Sequence, residues 1–289
     1  MTRTVGVAGC GTMGAGIAIV AARAGFTVRV FDTSREALDR AHEQTADFLE
    51  KSVARGKLSP IDRDATLARL IGSTRIPDLA DCEFVIEAIY ENLTAKHDLF
   101  GQLDQVCPPE TIFASNTSTI SITEIAAGSG RADRFVGMHF CLPAQLMRLV
   151  EMSPGLNTSD ETWRAAWAFC EALGQKPVAT SDTPGFVLNY FLIPYHNDAI
   201  RLVEQGVAST ADIDIAMKAA MGYPMGPFEL LDLVGADTQK LLCDAMFGLT
   251  NEKRAACPPL IRRMIAAGHL GKKSGRGFHH YDDSKMFGA

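Results

Sequence analysis

Thr4-Val5-Gly6-Val7-Ala8-Gly9-Cys10-Gly11-Thr12-Met13-Gly14 sets an apolar run, three spaced glycines and the start of a helix in one stretch. Residues 5–8 read as a buried strand. Residues 13–24, rich in small and apolar side chains, read as a helix that Gly25 stops. Residues 26–31 form the next strand. Strand, helix, strand at this spacing needs parallel pairing with a crossover, so the fold class is α/β: a Rossmann-type, doubly wound sheet. Within it, Gly9 permits a tight turn, Gly11 lets backbone approach a pyrophosphate, and Gly14 lets helix and strand pack closely. Thr12 and Met13 lie at the helix N-terminus, whose free N–H groups favour phosphate. Asp32 follows Gly9 by 23 residues at the end of the second strand. A carboxylate there accepts from the adenosine ribose hydroxyls and repels a 2′-phosphate, so the expected cofactor is NAD rather than NADP. The alternative is a structural turn with a helix-capping Asp; FAD also uses a similar turn, and hydride chemistry elsewhere in the chain decides.

The 289 residues carry 34 acidic and 28 basic side chains, a formal charge of −6, and 47% of them are hydrophobic. At roughly 100–200 residues per domain, one large or two modest domains with real cores are expected. Weak acidity argues against nucleic acid as the partner, because phosphate backbones demand a concentrated basic surface. No apolar run approaches the roughly 20 residues that span a bilayer, and the start breaks at Gly9 too early for a signal peptide. Seven scattered cysteines without a CxxC pair fit a reducing, cytoplasmic setting and buried thiols, with no metal site expected.

Further strands are expected at 84–89, 112–116, 135–140, 149–152 and 177–180. After residue 33, a helix with a Thr33/Glu36 capping box runs to Gly56, and Ser59-Pro60 opens another. The two read as an inserted helical hairpin at about 34–70. From Phe186 onward helical periodicity dominates, at 193–203, 212–221, 227–247 and 259–267. The expected division is therefore an NAD-binding domain at 1–183 and an all-α C-terminal domain at 184–289, with a boundary near Asp182-Thr183-Pro184-Gly185.

Among seven histidines, His139 stands out because it lies near the end of a sheet strand, where open α/β sheets place ligands. Glu151 lies inside another apolar strand, where an acid needs a partner. A carboxylate on one imidazole nitrogen fixes the tautomer and raises basicity at the other. Such a pair can take a hydroxyl proton while hydride leaves the same carbon.

With these residues in place, the sequence resembles the L-3-hydroxyacyl-CoA dehydrogenase family, especially the short bacterial 3-hydroxybutyryl-CoA dehydrogenases. The resemblance rests on the Gly9–Gly14 turn, Ile86-Glu87-Ala88-Ile89-Tyr90-Glu91-Asn92, Ala114-Ser115-Asn116-Thr117-Ser118, Gly137-Met138-His139-Phe140 and Leu149-Val150-Glu151. It continues through Thr183-Pro184-Gly185-Phe186-Val187-Leu188-Asn189, Pro224-Met225-Gly226-Pro227 and Lys273-Ser274-Gly275-Arg276-Gly277-Phe278. It implies NAD-dependent oxidation of the 3-hydroxyl of a hydroxyacyl thioester lying between the two domains. His139 would be the general base and Glu151 its orienting partner. Ser118 and Asn189 would hold the substrate's hydroxyl or thioester region, and Glu91, Lys96 and Asn116 match positions that contact NAD. Read without the resemblance, Ser118 and Asn189 also fit helix caps, and Glu91 with Lys96 fits a surface pair. Lys51, Arg55 and Lys57 stand where relatives bind the nucleotide end of CoA, and equally where cations complement a helix C-terminus. The resemblance further implies a homodimer through the helical domain.

The chain departs from the family after His139. Leu142 stands where relatives carry an Asn, and Tyr223 where His is common. Losing an amide removes hydrogen-bonding capacity near the reacting centre. That departure motivates an alternative substrate, a hydroxyacyl (for example glyceryl) group on acyl carrier protein in polyketide extender-unit biosynthesis. A noncatalytic NAD-binding protein is the remaining reading, and it would require a spoiled catalytic set.

Overall fold

The structure, a computed structural model, describes residues 3–281. The first two residues of the expected start, and residues 282–289 of the expected second domain, lie outside it. The chain divides into two compact units, Met1–Thr183 and Pro184–Ala289.

The first unit is an eight-stranded sheet in the order β3-β2-β1-β4-β5-β6-β7-β8. It begins with β1 (Thr4–Ala8), α1 (Thr12–Arg23) and β2 (Thr27–Phe31), as the opening stretch requires. The helical hairpin α2 (Arg35–Ala54) and α3 (Pro60–Ala68) then leads into β3 (Leu70–Ser73). The hairpin is therefore the crossover between two parallel strands rather than an insertion beside one. Strand β3 escaped the sequence reading because only Leu70 and Ile71 are apolar before Gly72-Ser73, and the strand is half exposed rather than a continuous buried run. The N-cap of α2 also differs from expectation: Ser34, not Thr33, accepts from the amide of Ala37.

The unit continues with β4 (Phe84–Glu87), α4 (Leu93–Val106), β5 (Ile112–Ser115), α5 (Ile122–Ala127) and β6 (Phe135–Phe140). It closes with β7 (Leu149–Pro154), α6 (Asp160–Ala172) and β8 (Lys176–Ala179). All neighbouring strands run parallel except β6 and β7, which pair antiparallel. Strands β4 and β5 are buried along their whole length, as parallel strands covered on both faces must be. On one face Phe84 stacks on Phe169 of α6, with ring centroids 4.2 Å apart. On the other, Phe100 of α4 meets Phe113 and Phe135. The order reverses at β1, flanked by β2 and β4, and this switch point is where such sheets open a ligand crevice.

The second unit is helical: α7 (Leu188–Glu204), α8 (Thr210–Met221), α9 (Pro227–Val234), α10 (Ala236–Thr250) and α11 (Pro259–Ala266). The single helix expected over 227–247 is two, because Gly235 takes φ 101° and breaks the ladder between α9 and α10. Ile200, Phe228, Leu231 and Ile261 form its buried centre. No helix among the described residues is long and apolar enough to cross a membrane.

Candidate active site

The turn after β1 is built as its glycines predict. Gly9 has φ +99°, and a Cβ there would lie 2.6 Å from the carbonyl oxygen of Ala88. A Cβ on Gly14 would lie 1.8 Å from the carbonyl oxygen of Gly9, so only glycine lets α1 start this close to the strand. Above Gly11 the space is open for 4 Å. Helix α1 has no side-chain cap and no acid in its first turn, so nothing internal competes for its N-terminal amides. Beside this turn lies a cavity of about 730 Å³ lined in part by Gly9, Gly11, Asp32, Ile89 and Tyr90. Its size is in the range of a ligand site. Asp32 lines it with both oxygens engaged: Oδ2 accepts from the Cys10 amide at 3.1 Å and Oδ1 from the Ser34 amide at 3.0 Å. Burial alone would raise the Asp32 carboxyl, but these donors hold it below the usual carboxylate range. These features fit a dinucleotide with unmodified ribose hydroxyls.

Strand pairing builds the chemical centre. In the antiparallel β6–β7 ladder His139 sits directly opposite Glu151, which puts both side chains on the same face. His139 Nδ1 lies 2.8 Å from Glu151 Oε2, and Glu151 is 1% exposed. An ionised carboxylate only accepts, so Nδ1 carries the proton and Nε2 keeps its lone pair. Ser118 Oγ lies 3.1 Å from Nε2. The hydroxyl donates to that lone pair. A one-residue slip of β7 would turn Glu151 to the opposite face and dissolve the pair.

The loop that carries Ser118 hangs on Glu91. Glu91 Oε1 accepts from Thr117 Oγ1 at 2.5 Å, the Ser118 amide at 2.9 Å, and the Thr119 amide at 3.1 Å. Lys96 lies 3.2 Å from Glu91 and 2.7 Å from Glu87, with only 1% of its side chain exposed. Lys96 is thus buried against two carboxylates rather than one half of an exposed surface pair. Although burial pulls the Glu91 carboxyl up, Lys96 and the loop donors bring it below its usual range. Burial wins at Glu87, which is raised despite Lys96, Ser115 and the Ile89 amide. Asn116 Oδ1 accepts from the Phe140 amide at 2.8 Å, tying the loop after β5 to the strand that carries His139.

Sequence reasoning passed over Glu87, Thr117, Thr119 and Asp182. Glu87 was within reach, because an acid in an apolar strand is the signal that singled out Glu151. Asp182 caps α5 by accepting from Ser121 Oγ and from the amides of Ile122 and Thr123. Nothing in its local sequence announces that.

Of the remaining candidates, Asn189 is buried in the first turn of α7, in the second unit. Lys51 pairs with Asp47 at 2.6 Å along α2, while Arg55 is the C-cap of that helix and Lys57 is exposed just beyond it. Leu142 is 45% exposed. Among the described residues no group of three His, Cys, Asp or Glu could hold a metal ion.

The family model for the 3-hydroxyacyl-CoA dehydrogenase NAD binding domain matches residues 4–183, and that for the C-terminal domain matches residues 185–281. The chain belongs to the 3-hydroxyacyl-CoA dehydrogenase family. As a member of it, the chain carries an NAD-binding Rossmann fold and is an oxidoreductase of the type acting on CH–OH. Among its relatives, a probable 3-hydroxybutyryl-CoA dehydrogenase of Deinococcus radiodurans is 46% identical over 276 residues, covering 96% of this chain and 99% of the relative. The 3-hydroxybutyryl-CoA dehydrogenase of Mycobacterium tuberculosis is 43% identical, covering 96% and 98%. The crystal structure of (S)-3-hydroxybutyryl-CoA dehydrogenase PaaH1 from Ralstonia eutropha superimposes with a TM-score of 0.89 at 40% identity, covering 98% of this chain and all of that one (100%). This family member thus shares its fold over both units with solved dehydrogenases.

Proposed function

We propose that this protein oxidises the 3-hydroxyl of a hydroxyacyl-CoA thioester, as in 3-hydroxybutyryl-CoA, to the 3-oxo form. The observation that carries this reading is the Glu151–His139–Ser118 chain, with its contacts of 2.8 and 3.1 Å. His139 Nε2 takes the O3 proton. Glu151 stabilises the imidazolium that forms, and Ser118, displaced from Nε2 by the substrate hydroxyl, donates to or accepts from O3. Bound NAD supplies the hydride acceptor. The Gly9–Gly14 turn with Thr12 and Met13 would receive its pyrophosphate, and Asp32 its adenosine ribose. Glu91, Lys96 and Asn116 belong to this reading as the residues that shape the cofactor side of the site. Family resemblance alone assigns Asn189 to the substrate, and Lys51, Arg55 and Lys57 to the CoA nucleotide.

His139→Gln keeps the ring's approximate volume but not its basicity. NADH binding is expected to persist while turnover falls by about 10²–10⁴-fold, the range for a general base. Unchanged turnover would end the assignment.

One observation favours a second substrate. The exposed Leu142 sits three residues after His139, where the resemblance implies an Asn amide, so the group recognised beside the reacting carbon would differ. A hydroxyacyl group on an acidic acyl carrier protein, docking on Lys51, Arg55 and Lys57, is the corresponding alternative. NADH formation measured with matched acyl-CoA and acyl-carrier substrates separates the two, a large carrier preference rejecting the CoA reading. The intact dyad disfavours a noncatalytic role.

The same reading includes a homodimer. It draws support from the second unit's own surface, where a recess of about 690 Å³ is lined by Phe191, Leu192, Tyr195, Met217 and Leu230. Light scattering tests it, and a monomer at micromolar concentration would reject it.

A further inference from the structure

Cys10 is the second residue of the glycine turn, a position for which the motif asks only that the side chain be tolerated. Here the side chain makes a specific contact. Its thiol donates to Asp32 Oδ2 at 3.2 Å, and the amide of the same residue donates to the same oxygen at 3.1 Å. Asp32 Oδ1 takes the amide of Ser34 at 3.0 Å. Each carboxylate oxygen has two acceptor sites. Oδ2 thus takes a pair of donors from one residue, whereas Oδ1 takes the Ser34 amide, with the Thr33 amide also donating to the carboxylate.

We propose that Cys10 is a positioning residue for the adenosine ribose of the cofactor: its thiol and amide together pin Oδ2 of Asp32, so that Oδ1 is the oxygen offered to the ribose hydroxyls. Without the thiol, Oδ2 would depend on one amide, and the carboxylate would gain freedom to rotate and present either oxygen. The thiol is suited to this. It is 5% exposed, and burial together with the neighbouring Asp32 charge pushes its pKa up to about 12, so it remains a protonated donor at neutral pH. Cys107 and Cys257, by contrast, donate to the carbonyls of Leu79 and Pro258.

The test uses Cys10→Ala and Cys10→Ser in the full-length chain, titrated with NADH and with its analogue lacking the adenosine 2′-hydroxyl. A donor to a charged acceptor, weakened because sulfur is a poor one, implies about a five-fold rise in the NADH Kd for Cys10→Ala. The KM for NAD should rise with it while kcat at saturating NAD stays put. Cys10→Ser, which restores a donor, should recover most of the affinity. For the 2′-deoxy analogue the loss in Cys10→Ala should be smaller than for NADH, because one of the hydroxyls that Asp32 serves is gone. The acidic limb of NADH affinity should also move to higher pH in Cys10→Ala, since a donor that keeps Asp32 ionised is lost. Equal weakening for both nucleotides would mean that Cys10 only fills space, and would overturn the proposal. So would NADH affinity in Cys10→Ala equal to the parent's. If Cys10→Ala fails to fold, Cys10→Ser decides through the same pair of nucleotides: near-parental discrimination supports the proposal, and lost discrimination rejects it.

Discussion

Glu151→Gln isolates what the carboxylate contributes to proton transfer. The amide is nearly isosteric, and its oxygen can still accept from His139 Nδ1, so the tautomer and the strand pairing survive. What disappears is a full negative charge 2.8 Å from the ring nitrogen. When His139 takes the substrate proton, the imidazolium charge centre lies about 4 Å from that carboxylate. At an effective dielectric of about 20, the lost attraction is about 4 kcal/mol. At 1.4 kcal/mol per decade this is about a 10³-fold fall in kcat. Glu151 lies on β7, separated in the sheet by β6, β5 and β4 from β1 and its glycine turn, so the KM for NAD and the NADH Kd should hold within about two-fold. The assay is initial-rate NADH formation from 3-hydroxybutyryl-CoA over a range of NAD, beside a direct NADH titration. The reasoning fails if Glu151→Gln keeps kcat within about ten-fold of the parent while binding NADH normally, for then no charge at 151 is needed when the proton moves.

Glu91→Ala should be costly in another way. It strips the acceptor from Thr117, Ser118 and Thr119 and leaves the Lys96 ammonium with Glu87 alone, so a stability loss of about 2–4 kcal/mol is expected in urea melts. Turnover should fall further than NADH affinity, and Glu91→Gln, which keeps an acceptor, should be milder; equal melts for Ala and parent would refute the anchoring role. Gly14→Ala puts a methyl 1.8 Å from the carbonyl oxygen of Gly9 and should abolish NADH binding along with several degrees of Tm. Retained affinity would show that the turn relaxes freely. In the second unit, His196 is fully buried, with Nδ1 3.1 Å from Gln239 Oε1, and burial lowers its pKa from 6.5 to about 4. The unfolded chain therefore binds the extra proton first. Stability should be intact above pH 6.5 and fall by about 3 kcal/mol as pH drops towards 4. His196→Gln should flatten that part of a pH-dependent urea series, and an unchanged slope would place the sensitivity elsewhere.

Much of the fold was legible because its signals are local. The apolar run at 5–8, the glycines at 9, 11 and 14 and the carboxylate at 32 each impose a backbone or charge requirement that no distant residue is needed to interpret. From them follow the parallel sheet, the nucleotide turn and the preference for NAD. The chemical types at His139, Glu151 and Ser118 were also readable, and strand ends are where such groups do chemistry. What the chain could not disclose locally was pairing. His139 meets Glu151 only because β7 turns antiparallel beside β6 in one register, and register is settled by burial across the whole sheet. The burial of Lys96 between Glu87 and Glu91, and the Cys10 thiol on Asp32, have the same origin: charged and polar groups on different strands, helices and loops were brought into a space too dry to leave them unpaired. Periodicity reports which side of an element faces inward, whereas the identity of the group waiting there depends on how the elements stack.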